Sequence, residues 1–367
     1  MNIHPLFEAK EKLERTLVNH TRFVEVRDQL KNSLLFPTDA KLTFVLGPSG
    51  VGKSRLYQVL QKVIVDMMTT SLIEDRERIP YVAFEVPSVQ IGNFSWKNFY
   101  SLYLEQLRLP VIPASKSLQE LPNFSASNGL DHVLMKTIEH RRPIATLLDE
   151  ANHLTQVTSG NLFKQQLEKI KSLANRSGVH HICFGTYDLA GLINLSGQLA
   201  RRCKIIHFGR YTAESEEDKS SFRSLIRGYQ ASVPVAHHLD LRTRAKFLYE
   251  RTIGCPGTLK TWIMEALSHA YANKREAITM EDLEATAMPI AKLNTMLADA
   301  RQGEELFREE LADVNHYTNS LYTKDSKSDE LDLRIEPNAN KGNKPAGERQ
   351  PKRDPVGGAF EGNDVAA

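Results

Sequence analysis

The chain has 367 residues, 41% hydrophobic and 25% charged, with 47 Lys and Arg against 45 Asp and Glu for a formal net charge of +2. This suits a globular protein with one large α/β domain and a smaller one, and a near-neutral balance neither announces nor forbids a nucleic-acid surface. Cys183, Cys203 and Cys255 are too few and too far apart for a disulfide framework or a zinc site, no apolar run approaches the roughly 20 residues that cross a bilayer, and Met1-Asn2-Ile3-His4-Pro5 is no secretory signal, so reduced thiols and a cytoplasmic, membrane-free location are expected.

Residues 6–35 read as helical, with Leu6, Leu13, Leu17, Val24 and Leu30 at near-helical spacing until Pro37 stops the run. Lys41–Leu46 is a short apolar stretch of the kind found in buried parallel strands. It runs into a Gly-rich loop, and residues 53–68 then read as a helix. Tyr81–Val86 predicts a second strand, and residues 95–108 and 129–141 two helices. Ile144–Asp149 predicts a third strand, residues 160–175 a helix, Val179–Phe184 a fourth strand and Cys203–Phe208 a fifth. Strands alternating with helices imply a parallel sheet covered on both faces. Beyond Phe208 the pattern is helical only, over 215–231, 240–252, 258–273 and 281–295. From about residue 322, Asp, Lys, Asn, Gly and Pro dominate, and a disordered tail is expected.

The strongest chemical signal is Gly47-Pro48-Ser49-Gly50-Val51-Gly52-Lys53-Ser54. Glycines let the backbone wrap a phosphate with successive N–H groups pointing inward. The helix that follows aims its positive end at the same anion. Lys53 suits the β- and γ-phosphates and Ser54 the Mg²⁺ ion of bound ATP, with Arg55 next to them. The second signal is Asp149-Glu150 at the end of an apolar strand. Asp149 suits the Mg²⁺ shell, and Glu150 suits activation of the attacking water; the plainer reading is a helix cap. Thr186, after the fourth strand, is either a polar group beside the γ-phosphate or an ordinary turn residue. Arg201 and Arg202, before the fifth strand, either cap a helix end or stabilise a neighbouring subunit's γ-phosphate in the transition state.

This arrangement resembles an AAA+ ATPase and, more narrowly, the TniB/TnsC family of transposon-encoded ATPases, relatives of the Mu B transposition protein. The resemblance spans roughly residues 10–295. It is carried by Leu46–Ser54, Leu147–His153, Phe184–Thr186, Gln198–Arg202 and Gly254–Leu259. It implies an α/β P-loop NTPase with a parallel five-stranded sheet over 37–210 and an all-α lid over 211–297. A helical segment over 1–36 precedes them, and a helical extension over 298–321 and the tail over 322–367 follow. It also implies a homo-oligomer, a ring or helical filament, formed with ATP on double-stranded DNA without sequence preference. Such an assembly recruits a transposase, links it to a target-selection protein, and is dismantled by hydrolysis. One departure stands out. Where many AAA+ lids carry an arginine that senses the γ-phosphate, this chain has Gly257, with Lys260 the nearest cation.

DNA tracking needs Lys or Arg that touch phosphates. Lys97, in Asn93–Asn98, is the first candidate, followed by Lys136, Arg141 and Arg142; alternatively Trp96 and Phe99 are core and Lys97 is simply solvated. The tail is either a solubilising extension or a tether for a partner. Two rival readings share the nucleotide site. One is a replication initiator or loader, which usually appends a DNA-binding domain for which the part expected to fold, up to about residue 320, is expected to leave no room. The other is a signalling or scaffold NTPase that binds only protein.

Overall fold

The structure, a computed structural model, describes residues 5–16, 18–88, 94–108, 127–154, 160–193 and 203–308. Its centre is a five-stranded parallel sheet in the order β2-β3-β4-β1-β5. The strands are β1 (Leu42–Leu46), β2 (Tyr81–Glu85), β3 (Ala145–Asp149), β4 (His180–Gly185) and β5 (Cys203–His207). The three inner strands are almost wholly buried. Helices cover both faces, which is why those strands read as unbroken apolar runs.

Side chains alternate between the faces with the strand period of two. Leu42, Phe44 and Leu46 of β1 point into one cluster with α4 (Trp96–Gln106), α5 (Ser127–Arg141) and α6 (Gly160–Ser177). Val45, with Ala145 and Leu147 of β3 and Ile182 and Phe184 of β4, points into the other. There it meets Leu56, Leu60 and Ile64 of α3 (Lys53–Glu74) and Phe23, Val26 and Leu30 of α2 (Thr21–Leu35). Two polar pairs lie inside the sheet, while His180 Nδ1 and His181 Nε2 are buried with no hydrogen-bond partner among the described residues. Thr43 Oγ1 lies 2.8 Å from His180 Nε2, and Tyr103 Oη lies 2.5 Å from Thr146 Oγ1. After β4 comes the short α7 (Asp188–Ile193).

The second core belongs to α8 (Glu216–Gln230), α9 (Ala245–Glu250), α10 (Pro256–Ala272) and α11 (Met280–Ala285). The expected single helix over 6–35 is two. The first, α1 (Pro5–Arg15), places Leu6, Ala9 and Leu13 in this helical cluster, whereas α2 belongs to the sheet core. Between them the chain turns, and the turn is pinned. His20 Nδ1 lies 2.8 Å from Tyr211 Oη, and Arg22 pairs with the buried Asp218 at 2.7 Å. The expected helix over 281–295 is also two, α11 and α12 (Ile290–Glu305), separated at Pro289, whose ring disfavours helix in the residue before it. No described helix is long and apolar enough to cross a membrane. The expected tail lies outside the described residues, as does the part of the 298–321 extension beyond Arg308.

Burial pushes His20, His180 and His181 down to about 4 from an ordinary 6.5. The unfolded chain therefore takes up protons near pH 6.5, while the folded one does so only near pH 4. Stability from these neutral rings is full above about pH 6.5 and is lost as pH falls toward 4. Denaturant midpoints measured from pH 7.5 to 4.5 should fall steadily below 6.5; midpoints that stay flat would contradict the buried neutral state.

Candidate nucleotide site

β1 hands the chain to the loop at Gly47–Gly52, and α3 starts at Lys53. Gly50 and Gly52 stand at φ of 79° and 114°, in the left-handed region that a side chain disfavours. Lys53 folds back over the loop, and its Nζ donates to the carbonyls of Gly47 at 2.8 Å and Pro48 at 2.9 Å. Burial lowers the ammonium to about 8, against the opposing fields of Glu150, Cys255 and Asp149. It is still a cation at neutral pH, and both carboxylates lie within its electrostatic reach. Ser54 is exposed in the first turn of α3, beside that ammonium.

The sheet sets the other side of the site. Leu46 is in register with Gly185 of β4, and Leu148 of β3 is in register with Cys183 of the same strand. The ends of β1, β4 and β3 therefore come out side by side, at strand spacings of about 4.8 Å. Asp149 ends β3 half-buried. Burial raises its pKa, opposed by the N–H of Glu150 donating to its Oδ1 at 3.0 Å. Glu150 then turns sharply out of the strand at φ 51°, an uncommon conformation for a residue with a side chain. Its carboxylate is exposed and accepts a hydrogen bond from Asn152 Nδ2 at 2.9 Å. Asn152 holds that carboxylate in place. Sequence reasoning gave it no role, although an amide two residues after a carboxylate is a local signal for such a bond.

Thr186 follows β4, the strand between the loop and Asp149. Its hydroxyl donates to Asp188 Oδ2 at 3.0 Å. Pro48, Ser49, Thr186 and Asp188 line a cavity of about 550 Å³ whose far wall is α12, with Asp299 and Gln302. The loop, Lys53, Ser54, Asp149, Glu150 and Thr186 thus gather at one edge of the sheet. Arg201 and Arg202 lie outside the described residues.

Other candidates sit elsewhere. Arg55 turns away from the loop and donates to the Arg15 carbonyl at 3.4 Å and to Gln58 at 3.0 Å. Lys260 donates to the carbonyls of Glu14 and Thr16 at 3.1 and 3.2 Å. It caps the end of α1 and does not substitute for the expected lid arginine. Arg141 pairs with Glu77 at 2.6 Å and donates to the Arg108 carbonyl, and Arg142 pairs with Asp75. Both precede β3, at the opposite end of the strands from the loop, and their charges are already engaged. Lys136 pairs with Glu139 at 3.3 Å on an exposed helix face. Trp96 and Phe99 are core, with Trp96 Nε1 donating to Gln166 and the Lys169 ammonium 5.1 Å over its ring. Lys97, beside them, is exposed and forms no ion pair among the described residues.

Residues 38–193 match the family model described as AAA domain. The comparison with curated proteins finds no match. Among solved structures the chain is similar to the Aeropyrum pernix ORC2 protein in its ADPNP–ADP complexes, at 11% identity over 76% of this chain and 72% of that one, TM-score 0.49. It is similar also to Drosophila ORC bound to DNA, at 12% identity over 78% and 65%, TM-score 0.46. A third is domain III of the Thermotoga maritima replication initiation protein DnaA, at 12% identity over 75% and 94%, TM-score 0.42. The glycine loop between β1 and α3, the five-stranded parallel sheet and the match of residues 38–193 to the AAA domain model give the chain the α/β P-loop NTPase (AAA+) fold.

Proposed function

We propose that this protein is an ATP-hydrolysing switch that assembles as a homo-oligomer on double-stranded DNA and regulates transposition. In this reading it recruits a transposase to a site set by a target-selection protein. The observation that carries the ATPase reading is the convergence of Lys53, Asp149, Glu150 and Thr186 at the ends of three adjacent strands. The regulatory reading rests on the resemblance of the same motifs to the TniB/TnsC family.

The residues present fit ATP and Mg²⁺. A left-handed glycine loop with a half-buried lysine folded over it is a phosphate cradle. Among the described residues no group of three or more His, Cys, Asp or Glu side chains could hold a metal by itself. A divalent cation here would take Ser54 Oγ and Asp149 as protein ligands and complete its shell with phosphate oxygens and water. Bound there, Mg²⁺ would supply charge neutralisation between the phosphates.

Within this site the loop N–H groups and Lys53 bind the triphosphate. Glu150, steadied by Asn152, accepts the proton of the attacking water. Thr186 orients that water against the γ-phosphate. Arg201 or Arg202 of a neighbouring copy stabilises the charge that develops on the transferred group. Lys97 is the residue proposed for DNA phosphates, because of the four candidates it is the exposed one without an ion pair among the described residues.

Lys53→Ala should lose ATP binding by at least about 10²-fold in equilibrium titration, since it removes the cation folded over the loop; unchanged affinity would contradict the loop's role. Glu150→Gln should bind ATP normally, hydrolyse it about 10²–10⁴-fold more slowly, and persist on DNA in filter-binding assays, whereas brisk turnover would assign water activation to another group. Lys97→Ala should weaken binding to random duplex DNA and reduce the slope of log affinity against log salt by about one. No DNA binding by the wild-type protein with ATP would favour the scaffold reading. Binding and turnover without capture of a transposase would favour an initiator or loader.

A further inference from the structure

The lid helix α10 begins with an unusual cap. Pro256 has no N–H, so the first main-chain donors of the helix are those of Gly257 and Thr258. A side chain at the preceding position commonly accepts such donors, but Cys255 makes no side-chain cap. Both donors go instead to the glycine-rich loop. Gly257 N–H and Thr258 N–H reach the carbonyl oxygen of Gly50 at 2.7 and 3.1 Å. One loop carbonyl caps the lid helix.

The contact leaves no space on either side. A Cβ on Gly257 would stand 2.6 Å from that oxygen, and one on Gly50 would stand 2.2 Å from Thr258 Oγ1. The expected lid arginine has no room at Gly257, because the backbone of the loop is already there. The C=O and N–H of one trans peptide unit point in opposite directions. The unit that offers its Gly50 oxygen to α10 therefore presents the Val51 N–H on its other side, within the loop. Hydrogen bonds made at the two ends of a peptide unit polarise and strengthen one another.

We propose that the lid reads nucleotide through this Gly50–Val51 peptide unit, with the main chain of Gly257 and Thr258 replacing a sensing arginine. A phosphate accepted by the loop strengthens the cap on α10, and its departure weakens it. Gly257 is the positioning residue of this link. The inference rests on reading the loop as a phosphate site.

Amide hydrogen exchange on the full chain tests it, with and without Mg²⁺ and a non-hydrolysable ATP analogue. The amides of residues 50–54 and those of Gly257 and Thr258 should slow together, the latter by about fivefold to tenfold, the value of one helix cap. Gly257→Ala should weaken analogue binding by a similar factor, and at saturating analogue its loop amides should slow while those of the lid helix do not. Adding Cys255→Ser, which gives α10 a cap of its own, should restore the melting temperature of Gly257→Ala but not its affinity; a merely structural role would restore both. Loop protection in the wild type without any change at Gly257 and Thr258 would overturn the proposal, and this arm decides even if the variants fail to fold. An unprotected loop in the wild type would remove the phosphate site itself, and the proposal with it.

Discussion

The pairing register of three parallel strands governs everything at the candidate site. β4 is laddered to β1 on one side and β3 on the other, with Leu46 level with Gly185 and Leu148 level with Cys183. Because side chains alternate along a strand, a slip of one residue between β3 and β4 would send Leu147 and Leu148 to the wrong faces, and one between β1 and β4 would do the same to Phe44 and Val45. The two apolar clusters that sandwich the sheet therefore fix the register, and the register fixes where the strand ends emerge. The loop after β1, Thr186 after β4 and Asp149 at the tip of β3 are neighbours for that reason, although about a hundred residues separate the loop from Asp149 in sequence.

Local order at the strand tips then decides what each group can do. Glu150 leaves the strand through a left-handed backbone and is tied to Asn152, so its carboxylate faces solvent beside a half-buried Asp149. Adjacent carboxylates in such different surroundings can take different tasks. Lys53 is held over the loop by two carbonyls and a field from both acids. The helical subdomain enters the same structure through α1 and α10. α1 packs its apolar face into that cluster and accepts the Lys260 contact, Arg22 of α2 pairs with Asp218, and α10 caps on Gly50.

Much of this was legible because it rests on local sequence. Five short apolar runs, each followed by polar or Gly-rich residues, locate all five strands to within a residue or two. The loop and Asp149–Glu150 are visible because glycines and paired carboxylates at strand ends have few other uses. What was not legible depends on tertiary contact. The break between α1 and α2 contains neither Pro nor Gly; it exists because Leu13 and Phe23 belong to different cores. Arg141 and Arg142 were candidates for DNA phosphates by sequence, and only the fold brings Glu77 and Asp75 to them. Lys260 was the nearest cation to the missing lid arginine, with its helical phase in doubt, and the carbonyls it meets lie at the end of α1, far away in the sequence. Pro289, by contrast, was in plain view as a helix breaker and splits the run as its chemistry requires.

In the proposed site the start of α3 and the tip of β3 share one metal–triphosphate complex, and replacing the Ser54 hydroxyl ligand by a thiol probes that sharing at the metal itself. Steady-state ATP turnover of Ser54→Cys should fall strongly with Mg²⁺, which binds thiol ligands poorly, and recover with Mn²⁺ or Cd²⁺. A loss equally deep with every metal, or no loss with Mg²⁺, would mean that Ser54 does not touch the metal and that the proposed site is wrongly assembled.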